Sequence, residues 1–150
     1  MSPAFSLHLL AAALWVGGMF FAYTALRPVA ASMLQPPMRL GLWQQVFSRF
    51  FPWVWLFVLI LPLSGYYLIF SQFNGMDNVG ITIHVMQLTG WIMIGLFVYL
   101  YFIPFKKLNI FIIEKKLPQA ADCLNIIRKI IALNLGLGLI TIIIGSTHRF

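Results

Sequence analysis

The sequence predicts an all-α integral membrane protein: a bundle of four transmembrane helices with both termini on the outer side. Three observations predict it. The 150-residue chain is 61% hydrophobic and 9% charged, too few charges to cover the surface of a soluble domain. Four apolar stretches each reach the ~20 residues that a helix needs to cross a bilayer. The basic residues gather in only two of the connections. Lipid offers no partner to an unpaired backbone group, so each stretch must be helical, and alternating strands of an outer-membrane barrel are absent. One membrane domain, residues 1–150, accommodates the whole chain.

The first span runs from about Ala4 to Leu26. It is not expected to be a cleaved leader: no Lys or Arg precedes it, and it ends in Leu26-Arg27-Pro28 rather than at small residues. Gln35-Pro36-Pro37 then breaks the chain, and Leu40, Trp43, Val46, Phe47 and Phe50 recur at helical spacing among polar residues. That pattern predicts a short amphipathic helix over about 38–50, lying in the inner headgroup layer. Trp43, Trp53 and Trp55 are expected to form an aromatic belt there. The second span, about Pro52 to Phe70, carries Pro62, which should kink it, and then Ser64-Gly65. The third covers about Gly80 to Phe105, and a mixed apolar and basic link, Lys106 to Lys116, is expected to rest on the membrane surface. Pro118-Gln119-Ala120 opens the last helix, whose span runs from about Leu124 to Thr147.

Nine of the ten basic residues lie between spans one and two or between spans three and four. The positive-inside rule makes that side cytoplasmic and sends both termini outward, as in a bacterial-type inner membrane. Topology and anionic lipid headgroups account for the net charge of +7, and no basic face interleaved with exposed aromatics points to nucleic acid. The single Cys123 allows no disulfide within the chain. The only acids, Asp77, Glu114 and Asp122, fall in connections, so an intramembrane carboxylate relay and triad or paired-carboxylate catalysis lack their parts.

What remains is a pair of histidines. His8 precedes Trp15 by the same interval as His84 precedes Trp91, and the same offset aligns Phe21 with Phe97 and Tyr23 with Tyr99. The match suggests two helix hairpins related by a pseudo-two-fold axis. The His8 face of span one also carries Ala11, Ala12, Trp15, Met19 and Ala22; the His84 face of span three carries Gln87, Leu88, Trp91 and Gly95. Ionisable residues within a span face the bundle interior, and spans one and three of such a bundle are diagonal partners. The two imidazoles are therefore expected to face each other and grip one haem b iron axially. Ala11 and Ala12 leave room beside it, Gly65 and Gly145 admit the macrocycle edge, Gln87 lines the His84 side, and Trp15 and Trp91 floor the pocket. Arg149, with His148 and Thr82 as lesser donors, is placed to meet the propionates.

A bis-histidine iron has no open position, which favours electron transfer with quinone or an outer-side redox partner. Copper is the alternative: His8, His84 and His148 with the thioethers of Met19 and Met86 suit Cu(I), although Met86 points roughly 160° away from His84 on its helix. A third alternative is a non-catalytic membrane assembly subunit whose histidines are structural. Membrane lipid is the surrounding partner, and a homo-oligomer is compatible with the surface.

The run His8-x6-Trp15-Val16-Gly17-Gly18-Met19-Phe20 resembles the first helix of small four-helix membrane proteins related to copper-resistance protein D (CopD). It is also similar to the membrane-bound protoporphyrinogen oxidase family, HemJ. The HemJ resemblance implies haem binding through His8. That family has a His-x-Lys pair in helix three, where this chain has His84-Val85-Met86, and an Asn-Glu-x-Pro signature where this chain reads Asn134-Leu135-Gly136. The CopD resemblance implies copper tolerance or uptake.

Overall fold

The computed structural model describes residues 2–147. It is all helical among them, with four helices long and apolar enough to cross a membrane: α1 (Pro3–Met33), α2 (Pro36–Phe73), α3 (Ile81–Ile113) and α4 (Leu117–Ser146). The chain is a multi-pass membrane protein. Ser2 caps α1 by accepting from the Phe5 N–H, with Pro3 in the first turn, where its missing N–H costs nothing. Leu34 and Gln35, both extended, separate α1 from α2. Asn74 in the left-handed region and Gly75 at φ 131° end α2, and Lys115 at φ 59° turns the chain between α3 and α4.

Two π turns interrupt the odd-numbered helices, at Ala22–Leu26 in α1 and Tyr101–Phe105 in α3. Each accompanies a proline, Pro28 or Pro104, which lacks the N–H that a regular helix would direct four residues back. These prolines stand at the same offset as His8 and His84, although the π turn ends before Pro28 and contains Pro104. α1 packs closely on α2, and α3 on α4; α1 and α4 close the two hairpins together.

The basic half of the bundle is filled by aromatic side chains. Trp43, Phe47, Phe51 and Trp55 recur every fourth residue down α2 and meet Phe97, Tyr101 and Phe105 of α3. Phe51 stacks on Phe47 at 5.0 Å and meets Phe105 edge-on at 4.9 Å and Phe97 at 5.4 Å. Leu108, Ala120 and Ile127, each 0% exposed, seal α3 against α4. Polar links sit among the apolar contacts: Asn134 donates to the Met93 carbonyl (3.2 Å), and Thr141 donates to Thr89 (2.7 Å).

Three expectations need correction here. The segment 38–50 is no separate helix; it is the beginning of the 38-residue α2, which passes through both Pro52 and Pro62 without ending. Its apolar side is covered by the bundle itself, with Leu40, Trp43 and Phe47 all buried. Trp43 and Trp55 accordingly belong to the aromatic core, while Trp53 is exposed. Tyr101–Phe105 likewise leads straight into the helical turns Lys106–Ile113, so α3 continues past the expected end of span three.

Candidate functional site

Above the aromatic core the packing opens. At the end of the bundle away from the basic residues, a cavity of about 420 Å³ lies among all four helices. Its wall is overwhelmingly apolar, and it is of the size that takes a small organic ligand. Side chains link α3 to the segments before it: Trp91 donates from Nε1 to the Tyr66 hydroxyl of α2 (3.1 Å), and the Gln87 amide approaches the sulfur of Met76 in the α2–α3 connection (3.4 Å).

His8 is the histidine of this cavity. Its Nδ1 lies 2.9 Å from Ser64 Oγ on α2. The Ser64 hydroxyl has one proton, and that proton goes to the Ile60 carbonyl at 2.6 Å. With its proton on that carbonyl, the Ser64 oxygen is free to accept from the imidazole, an arrangement that corresponds to the tautomer with the proton on Nδ1 and the lone pair on Nε2. Gly65 lets this happen: a Cβ there would lie 3.2 Å from His8 Cε1, tighter than an ordinary contact, against a ring that Ser64 holds in place.

The remaining expected residues divide. Ala12, Trp15, Gly65, Gln87, Trp91 and Gly145 all line the cavity with His8. Trp15, 3% exposed, closes its floor and meets Phe97 edge-on, whereas Trp91, 50% exposed, stands at the rim. Ala11 is buried in the core beside the cavity and is not part of its wall. Arg149 and His148 lie outside the described residues.

His84 is the correction. It is exposed on α3 and does not line the cavity, so among the described residues no second imidazole reaches His8. The buried side of α3 carries Ile83, Met93 and Phe97, with Met86, Gln87 and Gly90 turned to the cavity. Packing decided the rotation: Met86 reaches α4 where Gly145 leaves space, Thr89 bonds Thr141, and Phe97 enters the aromatic core. Turning His84 inward would withdraw all three. Two positions equivalent in the repeat therefore face opposite ways.

That rotation delivers methionines. Met86 and Met93 both line the cavity. A Cβ at Gly145 would meet the Met86 methyl at 2.9 Å and its sulfur at 3.3 Å, and one at Gly138 would meet Val16 at 2.7 Å and the Met93 methyl at 3.2 Å. These glycines of α4 are the space into which the two thioethers fit. Among the described residues, no group of three or more His, Cys, Asp or Glu side chains could hold a metal. Ser64 and Met93 stand outside the expected site, and Met86 enters only the copper alternative. In the sequence Ser64 shows only as half of a Ser-Gly pair, and Met86 points away from His84 on its helix.

No curated protein and no solved structure matches the chain. A family model described as copper resistance protein D matches residues 44–147, which takes in α3, α4 and most of α2 and leaves His8 outside. With well over half of its length matched, the chain belongs to the copper resistance protein D family.

Proposed function

We propose that this protein handles copper within the membrane, taking Cu(I) into the cavity through His8 Nε2 and the thioethers of Met86 and Met93. The observation that carries this reading is the Ser64 contact at His8 Nδ1: in the tautomer in which Nδ1 donates to Ser64, Nε2 keeps its lone pair in a cavity that Met86 and Met93 also line. One imidazole with thioethers is a soft, neutral donor set that suits Cu(I). Among the described residues no carboxylate or thiol lines the cavity, so hard divalent cations and zinc find no anionic ligand in that wall. An apolar wall also disfavours the more highly charged Cu(II). In this reading copper is cargo or ligand, and the family membership supports it.

Titration of the purified protein with Cu(I) against a chromophoric chelator tests the proposal. Wild type should take up one equivalent. His8→Ala and Met86→Ile should each weaken uptake by about ten-fold or more, as loss of a direct ligand must at least match loss of an outer-shell partner. Equal uptake by all three proteins would sink it.

The second reading is a haem held on His8 alone. It is favoured by the apolar cavity and by Gly90 in its wall, where no side chain lies within 4 Å of the place a Cβ would take. A bis-histidine cytochrome passing electrons to quinone would need His84 in that cavity. A Soret band in protein from haem-supplied cells, lost in His8→Ala, would favour haem over copper.

A further inference from the structure

The basic end of the bundle holds a second cavity, of about 510 Å³, between the end of α1 and the starts of α2 and α4. Three guanidinium groups line it: Arg27, Arg39 and Arg128, one from each helix. Tyr23 and Asn125 add polar groups, and no carboxylate is in the wall. Asp122 is exposed nearby and makes no ion pair with these arginines among the described residues; Glu114 pairs with Lys116 at 3.1 Å.

The arginines are held rather than loose. Arg27 lies 4.8 Å over the Tyr23 ring. Arg39 donates from Nη2 to the Ala31 and Leu34 carbonyls at 3.1 and 3.0 Å, while its buried Nε has no partner among the described residues. α2 and α4 both begin in the cavity wall, at Pro36 and at Leu117-Pro118, with neither a side-chain cap nor an acid in the first turn. Their positive dipole ends add to the same sign. Three like charges facing one space without a counter-charge repel each other, and an anion between them removes that cost. A guanidinium fork matches phosphate oxygens.

We propose that this cavity binds a phosphate group, supplied by an anionic phospholipid headgroup or by soluble phosphate. Leu124 and Ile131 continue the wall with apolar surface suited to an acyl chain, which favours the lipid source. The site is separate from the histidine cavity and does not depend on the copper reading.

The test uses the full chain in detergent, with short-chain phosphatidylglycerol, short-chain phosphatidylcholine and inorganic phosphate as probes, read by native mass spectrometry and thermal shift. Wild type should bind one phosphatidylglycerol about ten-fold or more tightly than phosphatidylcholine, and R27Q/R128Q should lose that preference. R49Q/K129Q, which removes two exposed charges from the same end outside the cavity, should stay within about two-fold of wild type. Saturable binding of inorganic phosphate without a phosphatidylglycerol preference, lost in R27Q/R128Q, would assign the soluble source and uphold the site. Equal loss in both double variants would reduce the effect to surface charge and overturn the proposal. So would a wild type that neither discriminates the two lipids nor binds phosphate, an outcome readable even if R27Q/R128Q does not fold.

Discussion

Ser64→Ala is the sharpest probe of how the cavity works. The substitution removes the one side-chain acceptor of the His8 ring, the Oγ at 2.9 Å, and little else. The Ile60 carbonyl loses the hydroxyl that donated to it but keeps its place inside α2, and alanine is a better helix former than serine. The cost falls on His8, whose Nδ1–H is left without that partner. An orphaned buried donor costs about 1–3 kcal/mol, and loss of a partner that orients a metal-binding histidine lowers metal affinity about 10–100-fold. The lower end is expected, because the contact is only part-buried. Cu(I) affinity should therefore fall about ten-fold, near 1.4 kcal/mol, with thermal stability down by about 1 kcal/mol or less. Ser64→Thr keeps the hydroxyl and should restore most of the affinity. The imidazole itself can be read by nitrogen NMR, where wild type should show the proton on Nδ1. A proton found on Nε2, or a Ser64→Ala protein that binds Cu(I) as wild type does while His8→Ala fails, would refute the reasoning.

Three further outcomes follow from the packing. His84→Ala removes an exposed ring outside the cavity, so Cu(I) uptake, any haem spectrum and thermal midpoint should all stay at wild-type values; a loss matching His8→Ala would restore the two-histidine arrangement. Gly145→Ala should separate stability from binding, since Ala gains about 1 kcal/mol over Gly in a helix while its Cβ displaces the flexible end of Met86. Its melting point should hold or rise as Cu(I) affinity drops, and unchanged affinity would remove Met86 from the ligand set. Phe51→Ala opens the aromatic core between α2 and α3 and should cost about 3–5 kcal/mol of unfolding free energy, measured by denaturant titration in mixed micelles. A cost under about 1 kcal/mol would show that this core does not hold the basic half together.

The lipid constraint made the fold legible. A bilayer leaves few options for an apolar stretch of about 20 residues, so the four spans and their grouping of basic ends could be read directly. What lay past the spans could not. The segments 38–50 and 106–116 both read as lying on the membrane surface, and whether they bend away or continue straight depends on what covers their apolar side. Leu40, Trp43 and Phe47 find that cover in α3 and α4, which no local pattern reveals. The rotation of α3 was hidden for a similar reason. Its hydropathy is high all round, so an inward face had to be inferred from its one ionisable residue, and that inference assumed that a histidine so close to the helix start counts as buried. Position four of a span is near water, where an exposed imidazole costs little.

The two histidines then illustrate how a repeat diverges. Pro28 and Pro104 still hold equivalent positions, and each odd helix has a π turn at or just before its proline, because a missing N–H is a backbone property that packing cannot rotate away. A side chain has no such protection. In the first hairpin Ser64 sits where it can take the Nδ1 proton and Gly65 clears the ring, so His8 has a reason to face inward. In the second, Gly145 admits the Met86 sulfur and Ser146 turns back to the Ile143 carbonyl, so the inward space is taken by a thioether and the imidazole faces out. One hairpin supplies nitrogen and the other sulfur to a single cavity. If the proposed copper site is correct, that asymmetry is its origin: a symmetric pair of inward histidines would favour a metal that accepts two imidazoles, whereas one imidazole facing thioethers selects the softer ion.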